Sequence, residues 1–267
     1  MLMRTNVALP MYAVIPADVE ALWLALRERL AESRIVENNL PLRWPDDLLV
    51  HWQDPTLLLS QTCGYPLVTR LPDVQLIGCF HYAAPGCEGI HYRSVLVARE
   101  ADPGTTLADF RHRRVICNSA DSQSGYNALR MVVAPLSQQG HFFETVLFSG
   151  SHRQSLLAVQ QGTADIAAID CVTFALLQRH SPQTIRQLKI IGQTPATPGL
   201  PLITGPETSA TALATLRDAL RQIANSPEYY HLRAPLLING FSEVDRQQYD
   251  VILQWQQCAA DIGVREL

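Results

Sequence analysis

The stretch "FFETVLFSGSHRQSLLAVQQGTADIAAID", residues 142–170, determines the fold class of this chain. An apolar run with strand character leads into a polar turn, then into a segment of helical periodicity, and then into a second apolar run that ends at Asp170. Gly162 fits the end of that helix, since glycine readily takes the left-handed conformation found after many helices. The order strand, turn, helix, strand predicts an α/β fold.

The preceding segment repeats this unit. "RVICNSADSQSGYNALRMVV", residues 114–133, is again an apolar run, a polar turn and a helical pattern, and "CVTFALLQR" continues as a helix after Asp170. Three successive predicted strands therefore end in polar residues. In open α/β sheets ligands bind beyond the carboxyl ends of the strands, so we expect the turns at Ser119–Gly125 and Ser149–His152 to converge with Asp170 on one crevice.

The remaining patterns predict a mostly parallel sheet with helices on its faces, divided into two lobes. We expect a discontinuous lobe at about 1–98 with 202–267 and an inserted lobe at about 103–195, joined by hinge connections at about 99–102 and 196–201. Helices are predicted at Asp18–Ser33, Ser209–Ile223 and Ser242–Ile262. The apolar face of the first holds Val19, Leu22, Trp23, Leu26 and Leu30, and the buried candidates of the last are Val244, Tyr249, Ile252, Leu253 and Trp255.

Composition excludes several classes of partner. With 47% apolar and 17% charged residues the 267-residue chain is expected to fold as an ordinary soluble protein. A net charge of −4 without a basic cluster argues against nucleic acid as a partner. No apolar run reaches the ~20 residues of a membrane span, so no membrane insertion is expected. The first residues lack the pattern of a signal peptide, which leaves a cytoplasmic protein or a chain whose leader is missing.

The turn at residues 118–125 has two interpretations. The first backbone N–H groups of a helix lack internal partners and carry partial positive charge, so serine hydroxyls and Gly125 at this position suit an anion. The alternative is an ordinary serine N-cap. A second such turn, "SGSH", precedes the next helix. Two turns of this kind at the strand ends of one sheet favour ligand binding.

Other chemistries find less support. The G-x-S-x-G elbow of serine hydrolases is absent, and Cys63, Cys117 and Cys171 are more simply small apolar residues than nucleophiles. The histidines are scattered, with His81 and His91 sharing one loop, so no metal and no nucleotide cofactor is expected. The cysteines favour buried free thiols, with Cys79 and Cys87 as the one pair to test for a disulfide.

Several segments together resemble the phosphate, phosphite and phosphonate substrate-binding proteins of ABC transporters. The similarity runs from about Val7 to Thr204. It is carried by "ALPMY", "LLLSQTCGYPL", "YRSVLVAR", "NSADSQSGYNALR", "SGSHRQSLLAVQQGTADIAAIDCVTFAL" and "PGLPLIT". The resemblance implies a two-lobed type 2 periplasmic binding protein fold, in which each lobe is a mixed sheet flanked by helices and the lobes close on a ligand in the cleft between them.

The resemblance also implies a ligand site. It assigns the oxyanion to the serine-rich turn, His152 to the family's histidine, and Asp170 to an acidic residue that accepts a hydrogen bond from P–OH or pairs with an aminophosphonate ammonium; the alternative for Asp170 is a helix N-cap. The expected ligand-binding residues are Ser119, Ser122, Ser124, Gly125, Tyr126, Ser149, Ser151, His152 and Asp170, with Tyr12, Tyr65 and Tyr92 as aromatic contacts.

The implied function is non-enzymatic: a monomeric, periplasmic solute-binding protein that holds a small oxyanion, most of all a phosphonate, and works with an ABC transporter permease. Two alternatives stay open at this stage. One is an enzyme of the same fold, of the pyrimidine or thiamine-precursor type, and the other is a cytoplasmic ligand sensor. The sequence departs from the family in its turn, where "DSQSG" replaces a simpler Ser/Thr run and leaves the ligand's identity open.

Overall fold

The computed structural model describes residues 5–267 as a mixed α/β protein. The strands are β1 (Asn6–Ala8), β2 (Leu57–Gln61), β3 (Gln75–Tyr82), β4 (His91–Tyr92), β5 (Ser94–Arg99), β6 (Arg114–Cys117), β7 (Thr145–Phe148), β8 (Ile166–Asp170), β9 (Leu188–Gln193), β10 (Thr197–Pro198), β11 (Pro201–Thr204) and β12 (Ile238–Ser242). The α-helices are α1 (Pro16–Glu32), α2 (Leu48–Trp52), α3 (Gly64–Arg70), α4 (Ala128–Val133), α5 (His152–Gln160), α6 (Cys171–His180), α7 (Ala210–Asn225), α8 (Tyr230–Arg233) and α9 (Asp250–Asp261).

The chain forms two compact units. Of the residues that the structure describes, one unit contains those up to Ala83 with Glu88–Ile90 and Pro198–Gln248, and the other contains Ala84–Cys87, His91–Thr197 and Tyr249–Leu267. Each unit has its own five-stranded sheet with helices packed against it. Within residues 5–267, none of the helices has the length and apolar character that a membrane span needs.

The sheet of the first unit has the order β1-β2-β11-β3-β12. β1 and β2 are parallel, whereas β11 runs antiparallel to both β2 and β3, and β12 runs antiparallel to β3. The predicted apolar face of α1 is confirmed, because all five of its residues are buried. α7, which matches the predicted helix at Ser209–Ile223, packs against β12 and β3, and α1 packs against α7.

The sheet of the second unit has the order β7-β6-β8-β5-β9. β6 is parallel to both β7 and β8, so the carboxyl ends of these three strands lie at one edge of the sheet. The predicted strand, turn and helix units are confirmed here. β5 runs antiparallel to β8 and β9, so the sheet is mixed rather than mostly parallel.

The boundaries between the units differ from the predicted lobes. Residues 84–87, 91–98 and 249–267 belong to the second unit, and the predicted hinge at 99–102 lies inside that unit. The predicted connection at 196–201 contains the boundary between Thr197 and Pro198. β5 was expected in the first lobe, but it pairs along its length with β8 and β9 in the second unit. The C-terminal segment was also expected in the first lobe, but α9 packs against α4. Both differences come from contacts between distant parts of the chain, which local periodicity does not report.

The predicted helix over Ser242–Ile262 is wrong in its first third. Ser242 ends β12 and pairs with Cys79, and a short 3-10 turn at Arg246–Tyr249 precedes α9. Leu253, a predicted buried residue, is 39% exposed, while Ile252 and Trp255 are buried as expected. The predicted buried positions assume one α-helix that starts at Ser242. The 3-10 segment has fewer residues per turn than an α-helix, so it changes which side chains of α9 face the core.

Candidate anion-binding site

The serine-rich turn after β6 begins a continuous helical run. Ser122 is the N-cap: its Oγ accepts a hydrogen bond from the Gly125 backbone N–H at 3.0 Å. A π-turn at Gln123–Asn127 follows and continues into α4. Because a hydroxyl that accepts a hydrogen bond keeps its own proton, Ser122 caps the run and still offers an O–H donor. The cap and the anion cradle are therefore compatible interpretations of the same residue.

The turn after β7 reaches the same place. His152 is the first residue of α5, and its Nε2 lies 2.9 Å from the Oγ of Ser124 in a hydrogen bond. Ser151 caps α5 by accepting from the Gln154 backbone N–H at 3.2 Å. One hydrogen bond thus joins the starts of two helical segments, and the partial positive charges of both are directed toward one region.

His152 is neutral at physiological pH. Burial lowers its pKa from 6.5 to about 4, because the charged imidazolium would lose its hydration. Its Nδ1 is buried without a hydrogen-bond partner. Burying an acceptor without a hydrogen bond costs less than burying an N–H without one. The unpaired Nδ1 is therefore favoured as the unprotonated nitrogen, with the proton on Nε2. In that tautomer His152 donates to Ser124.

Gly125 is required by close packing within the site. A Cβ on Gly125 would lie 1.9 Å from the Oδ1 of Asn118 and 3.2 Å from the Cε1 of His152. Asn118 Oδ1 is itself buried without a hydrogen-bond partner. The space beside Gly125 is therefore filled by side chains of this unit. Asn118 follows β6 directly, and its position in the turn is the signal that could have found it.

Two further polar residues missed in the sequence support the turn: Ser94 at the start of β5, and Thr194, which follows β9 and bonds to Ser94. The Ser94 hydroxyl donates to the backbone oxygen of Ser124 at 2.8 Å, and the Ser94 N–H donates to Thr194 Oγ1 at 2.9 Å. Ser94 and Ser124 are both buried, so this bond fixes the backbone below the Ser124 hydroxyl. A serine at the start of an otherwise apolar strand is the signal that could have indicated Ser94.

Asp170 acts as an N-cap. Its Oδ1 accepts hydrogen bonds from the N–H groups of Val172 at 2.7 Å and Thr173 at 3.1 Å, and only 2% of the residue is exposed. It also stands opposite Ser94 in the β5–β8 pairing. The sequence left two roles for Asp170, a ligand contact and a helix cap. These hydrogen bonds are those of a helix cap.

Two other predicted serines are hydrogen-bonded within their turns. Ser119 donates to the carboxylate of Asp121 at 2.6 Å. The Ser149 Oγ lies 2.7 Å from the Oγ of Ser155 and 2.9 Å from the backbone oxygen of Ser151. These bonds hold the two turns in shape. They leave Ser122, Ser124 and Ser151 as the serines with the clearest capacity to donate.

The predicted tyrosines lie in different surroundings. Tyr126 belongs to the core of the second unit, where it stacks on Phe148 and accepts a hydrogen bond from the Leu267 N–H. These contacts give it a packing role. Tyr92, in β4 of the same unit, is buried. Tyr12 and Tyr65 belong to the first unit, where Tyr12 packs edge-on against another ring and Tyr65 lies half-buried in α3.

The cysteines do not form the pair that the sequence offered for testing. Burial raises the pKa of Cys117 to about 12, which keeps it as a thiol. Cys79 contacts the backbone oxygen of Phe80 and does not pair with Cys87, whose sulfur lies near Cys171 instead. Across residues 5–267, no group of three or more His, Cys, Asp or Glu side chains is placed to hold a metal ion.

Residues 51–249 match the family model for the periplasmic substrate-binding protein of phosphonate ABC transporters, which is well over half of the chain. The chain belongs to this family. Its members bind substrate for a transporter and are not enzymes, so the match favours a binding protein over an enzyme of the same fold. No curated protein sequence matches the chain.

Solved structures of similar fold include three that cover nearly all of this chain. A binding protein component of an ABC phosphonate transporter from Pseudomonas aeruginosa has a TM-score of 0.76 and 19% identity, covering 96% of this chain and 86% of its own. PhnD1 from Prochlorococcus marinus, in complex with methylphosphonate, has a TM-score of 0.76 and 13% identity over 97% and 99%. A protein from Xanthomonas citri bound to ATP has a TM-score of 0.71 and 15% identity over 97% and 99%. These likenesses confirm the periplasmic binding protein fold.

Proposed function

We propose that the protein binds a small phosphorus oxyanion, namely a phosphonate, phosphite or phosphate, through the hydroxyls of Ser122, Ser124 and Ser151. His152 orients the Ser124 hydroxyl. In this role the protein is the solute-binding component of an ABC transporter: it works as a monomer in the periplasm and delivers its ligand to a transporter permease. Family membership supports the transport role, and the geometry of the serine turns supports the class of ligand.

The hydrogen bond between Ser124 and His152 is the single observation that carries the proposal. It brings the turn after β6 and the turn after β7 together at the carboxyl edge of three parallel strands. Each turn opens a helical segment whose first N–H groups lack intrahelical partners. The dipoles of both helical segments stabilise an oxyanion at this edge, and they do so without a positively charged side chain.

The donors suit a tetrahedral oxyanion. Ser122 and Ser151 each accept a capping hydrogen bond and retain an O–H for a ligand oxygen. Ser124 accepts from His152 in the favoured tautomer, which directs its own proton away from the ring. Three hydroxyls on two turns thus match the three terminal oxygens of a phosphonate, whose hydration must be replaced by donors on binding.

Neutral His152 is well suited to this task. As a charged group it would need hydration or a counter-ion, and burial at this position disfavours that form. As a neutral donor to the Ser124 oxygen, it holds the Ser124 hydroxyl in one orientation and adds no charge to the site. Ligand selection then depends on the number and direction of the O–H donors.

A thermal-shift panel on ligand-stripped protein tests the proposal. Methylphosphonate, phosphite, phosphate, sulfate and ATP are compared as sodium salts at one ionic strength. A ligand that binds the folded state raises the melting temperature by mass action. We expect the small phosphorus oxyanions to raise it in the wild type and in Ser137→Ala, a control at the far end of the same helical run. If the melting temperature rises with none of methylphosphonate, phosphite and phosphate, the proposal is overturned.

A further inference from the structure

Cys87 and Cys171 lie close together although 84 positions separate them in the sequence. Their Sγ atoms are 3.5 Å apart. Cys171 is the first residue of α6 and is 2% exposed, while Cys87 is partly exposed in the loop before β4. Both belong to the second unit. A disulfide needs sulfur atoms about 2.0 Å apart, so a small movement of one side chain closes the gap.

The backbone around Cys87 is shaped for this approach. Gly86 has a φ of +99°, a conformation that side-chain-bearing residues rarely adopt. A Cβ on Gly86 would lie 3.4 Å from both the Cβ and the Sγ of Cys171, and 3.1 Å from the Cγ of Arg93. On the other side, the Cys171 N–H donates to the backbone oxygen of Arg93 at 3.1 Å. The loop and the helix start are therefore packed against each other at the two sulfurs.

The two thiols differ in reactivity. The hydrogen bond with Cys87 and the burial of Cys171 both raise the pKa of the Cys171 thiol, and the neighbouring Asp170 carboxylate acts in the same direction. Asp170 also takes the first N–H groups of α6, which would otherwise stabilise a thiolate there. The more exposed Cys87 is thus the sulfur that meets an external reagent first, and Cys171 is placed to react second.

We propose that Cys87 and Cys171 are an oxidisable pair that forms an intramolecular disulfide by exchange with an external disulfide. The Cys87 thiolate attacks the external S–S bond, forms a mixed disulfide and releases one thiolate. Cys171 then gives up its proton and attacks the Cys87 sulfur, which releases the second thiolate. Two protein thiols are oxidised, and one external disulfide is reduced to two thiols.

The bond joins the loop at Ala84–Cys87 to the start of α6, beside the Asp170 cap. Closing so long a stretch of chain restricts the unfolded state, so oxidation is expected to stabilise the folded protein. The inference is independent of the proposed ligand, since none of the observations behind it depends on what the protein binds.

Oxidation of the full-length protein with oxidised glutathione tests the proposal. The products are digested without reduction and identified by peptide mass spectrometry, and melting temperatures are measured before and after dithiothreitol. We expect a Cys87–Cys171 peptide and a rise of several degrees that dithiothreitol reverses. Cys258→Ser, which removes an exposed cysteine elsewhere, is expected to behave as the wild type.

Variants at the pair complete the test. Cys87→Ser is expected to lose the cross-linked peptide and the reversible rise in melting temperature. If Cys171→Ser folds, it is expected to stop at a glutathione adduct on Cys87. A wild-type protein in which Cys87 ends as a stable adduct, or in which Cys171 pairs with another cysteine, would overturn the proposal.

Discussion

The Oγ of Ser124 lies 2.9 Å from the Nε2 of His152, and this hydrogen bond joins two turns that follow neighbouring parallel strands. Ser94 holds the backbone of Ser124 from a third strand. The Ser124 hydroxyl is thus positioned by residues from β5 and α5 as well as from its own turn. For the proposed oxyanion ligand, such fixed placement lowers the ordering cost of replacing hydration water with the Ser124 hydroxyl.

Gly125→Ala is expected to destabilise the protein by about 1–3 kcal/mol, because its Cβ would overlap the Asn118 side chain. Adding Asn118→Ala is expected to recover part of that loss in a double-mutant cycle. Denaturant unfolding measures both. Gly192→Ala is the control, since its Cβ would make an ordinary contact at 3.5 Å. Equal losses for Gly125→Ala and Gly192→Ala would contradict this packing.

Acid is expected to destabilise the protein through His152. The unfolded histidine protonates near pH 6.5, whereas the folded one stays neutral down to a pKa of about 4. Between these values the unfolded state binds more protons, so stability falls as pH falls, by up to about 3 kcal/mol from this residue.

Unfolding free energies of the wild type and His152→Gln between pH 7 and pH 4 measure this contribution. The variant is expected to lose less stability over that interval. Gln154→Ala, an exposed position in the same helix, is expected to keep the wild-type slope. Parallel curves for the wild type and His152→Gln would show that burial of the neutral imidazole is not the cause.

The variant Asp170→Asn distinguishes a helix-capping role of Asp170 from a role in ligand binding. Asparagine caps helices about as well as aspartate, so we expect this variant to keep its stability and its affinity for methylphosphonate. Asp170→Ala is expected to lose about 1–2 kcal/mol through loss of the cap. Calorimetric titration and thermal unfolding measure the two effects. A tenfold loss of affinity in Asp170→Asn would instead assign the carboxylate to the ligand.

Local pattern predicted the parts of the structure that local interactions form. Strands β6, β7 and β8 were predicted from apolar runs, and the helical segments after β6 and β7 from the polar turns that precede them, because strand periodicity and helix capping act over a few residues. The positions of Ser122 and Ser151 in the candidate site follow from the parallel order of those strands.

Contacts between distant segments could not be predicted in the same way. β5 has the same apolar character as a first-unit strand, and only its pairing with β8 and β9 places it in the second unit. Asn118 and Ser94 are ordinary polar residues until the fold sets one against Gly125 and the other under Ser124. The proximity of Cys87 and Cys171 likewise depends on the folded chain.

Asp165→Asn is expected to lower stability by about 2–3 kcal/mol. Asp165 stands before β8 and is hydrogen-bonded to Arg99 at 2.8 Å and to Arg114 at 3.0 Å, so it ties together three strands of the sheet. These bonds hold the pKa of its carboxyl well below the usual range. Loss of its charge removes the carboxylate that both arginines share.

Asp218→Asn removes an exposed ion pair with Arg221 and is the matched control, with an expected change within about 0.5 kcal/mol. Denaturant unfolding at pH 7 compares the two variants with the wild type. A loss in Asp165→Asn no larger than in Asp218→Asn would show that the Asp165 cluster does not stabilise the second unit.

Calorimetric titration of methylphosphonate into ligand-stripped wild type, Ser124→Ala, His152→Ala, the double variant and Ser137→Ala tests the site most directly. We expect Ser124→Ala to weaken binding at least tenfold, His152→Ala to weaken it less, and the double variant to bind no more weakly than Ser124→Ala, because His152 acts through Ser124. Ser137→Ala is expected to bind as the wild type. Wild-type affinity in Ser124→Ala and in the double variant would contradict binding at this hydroxyl.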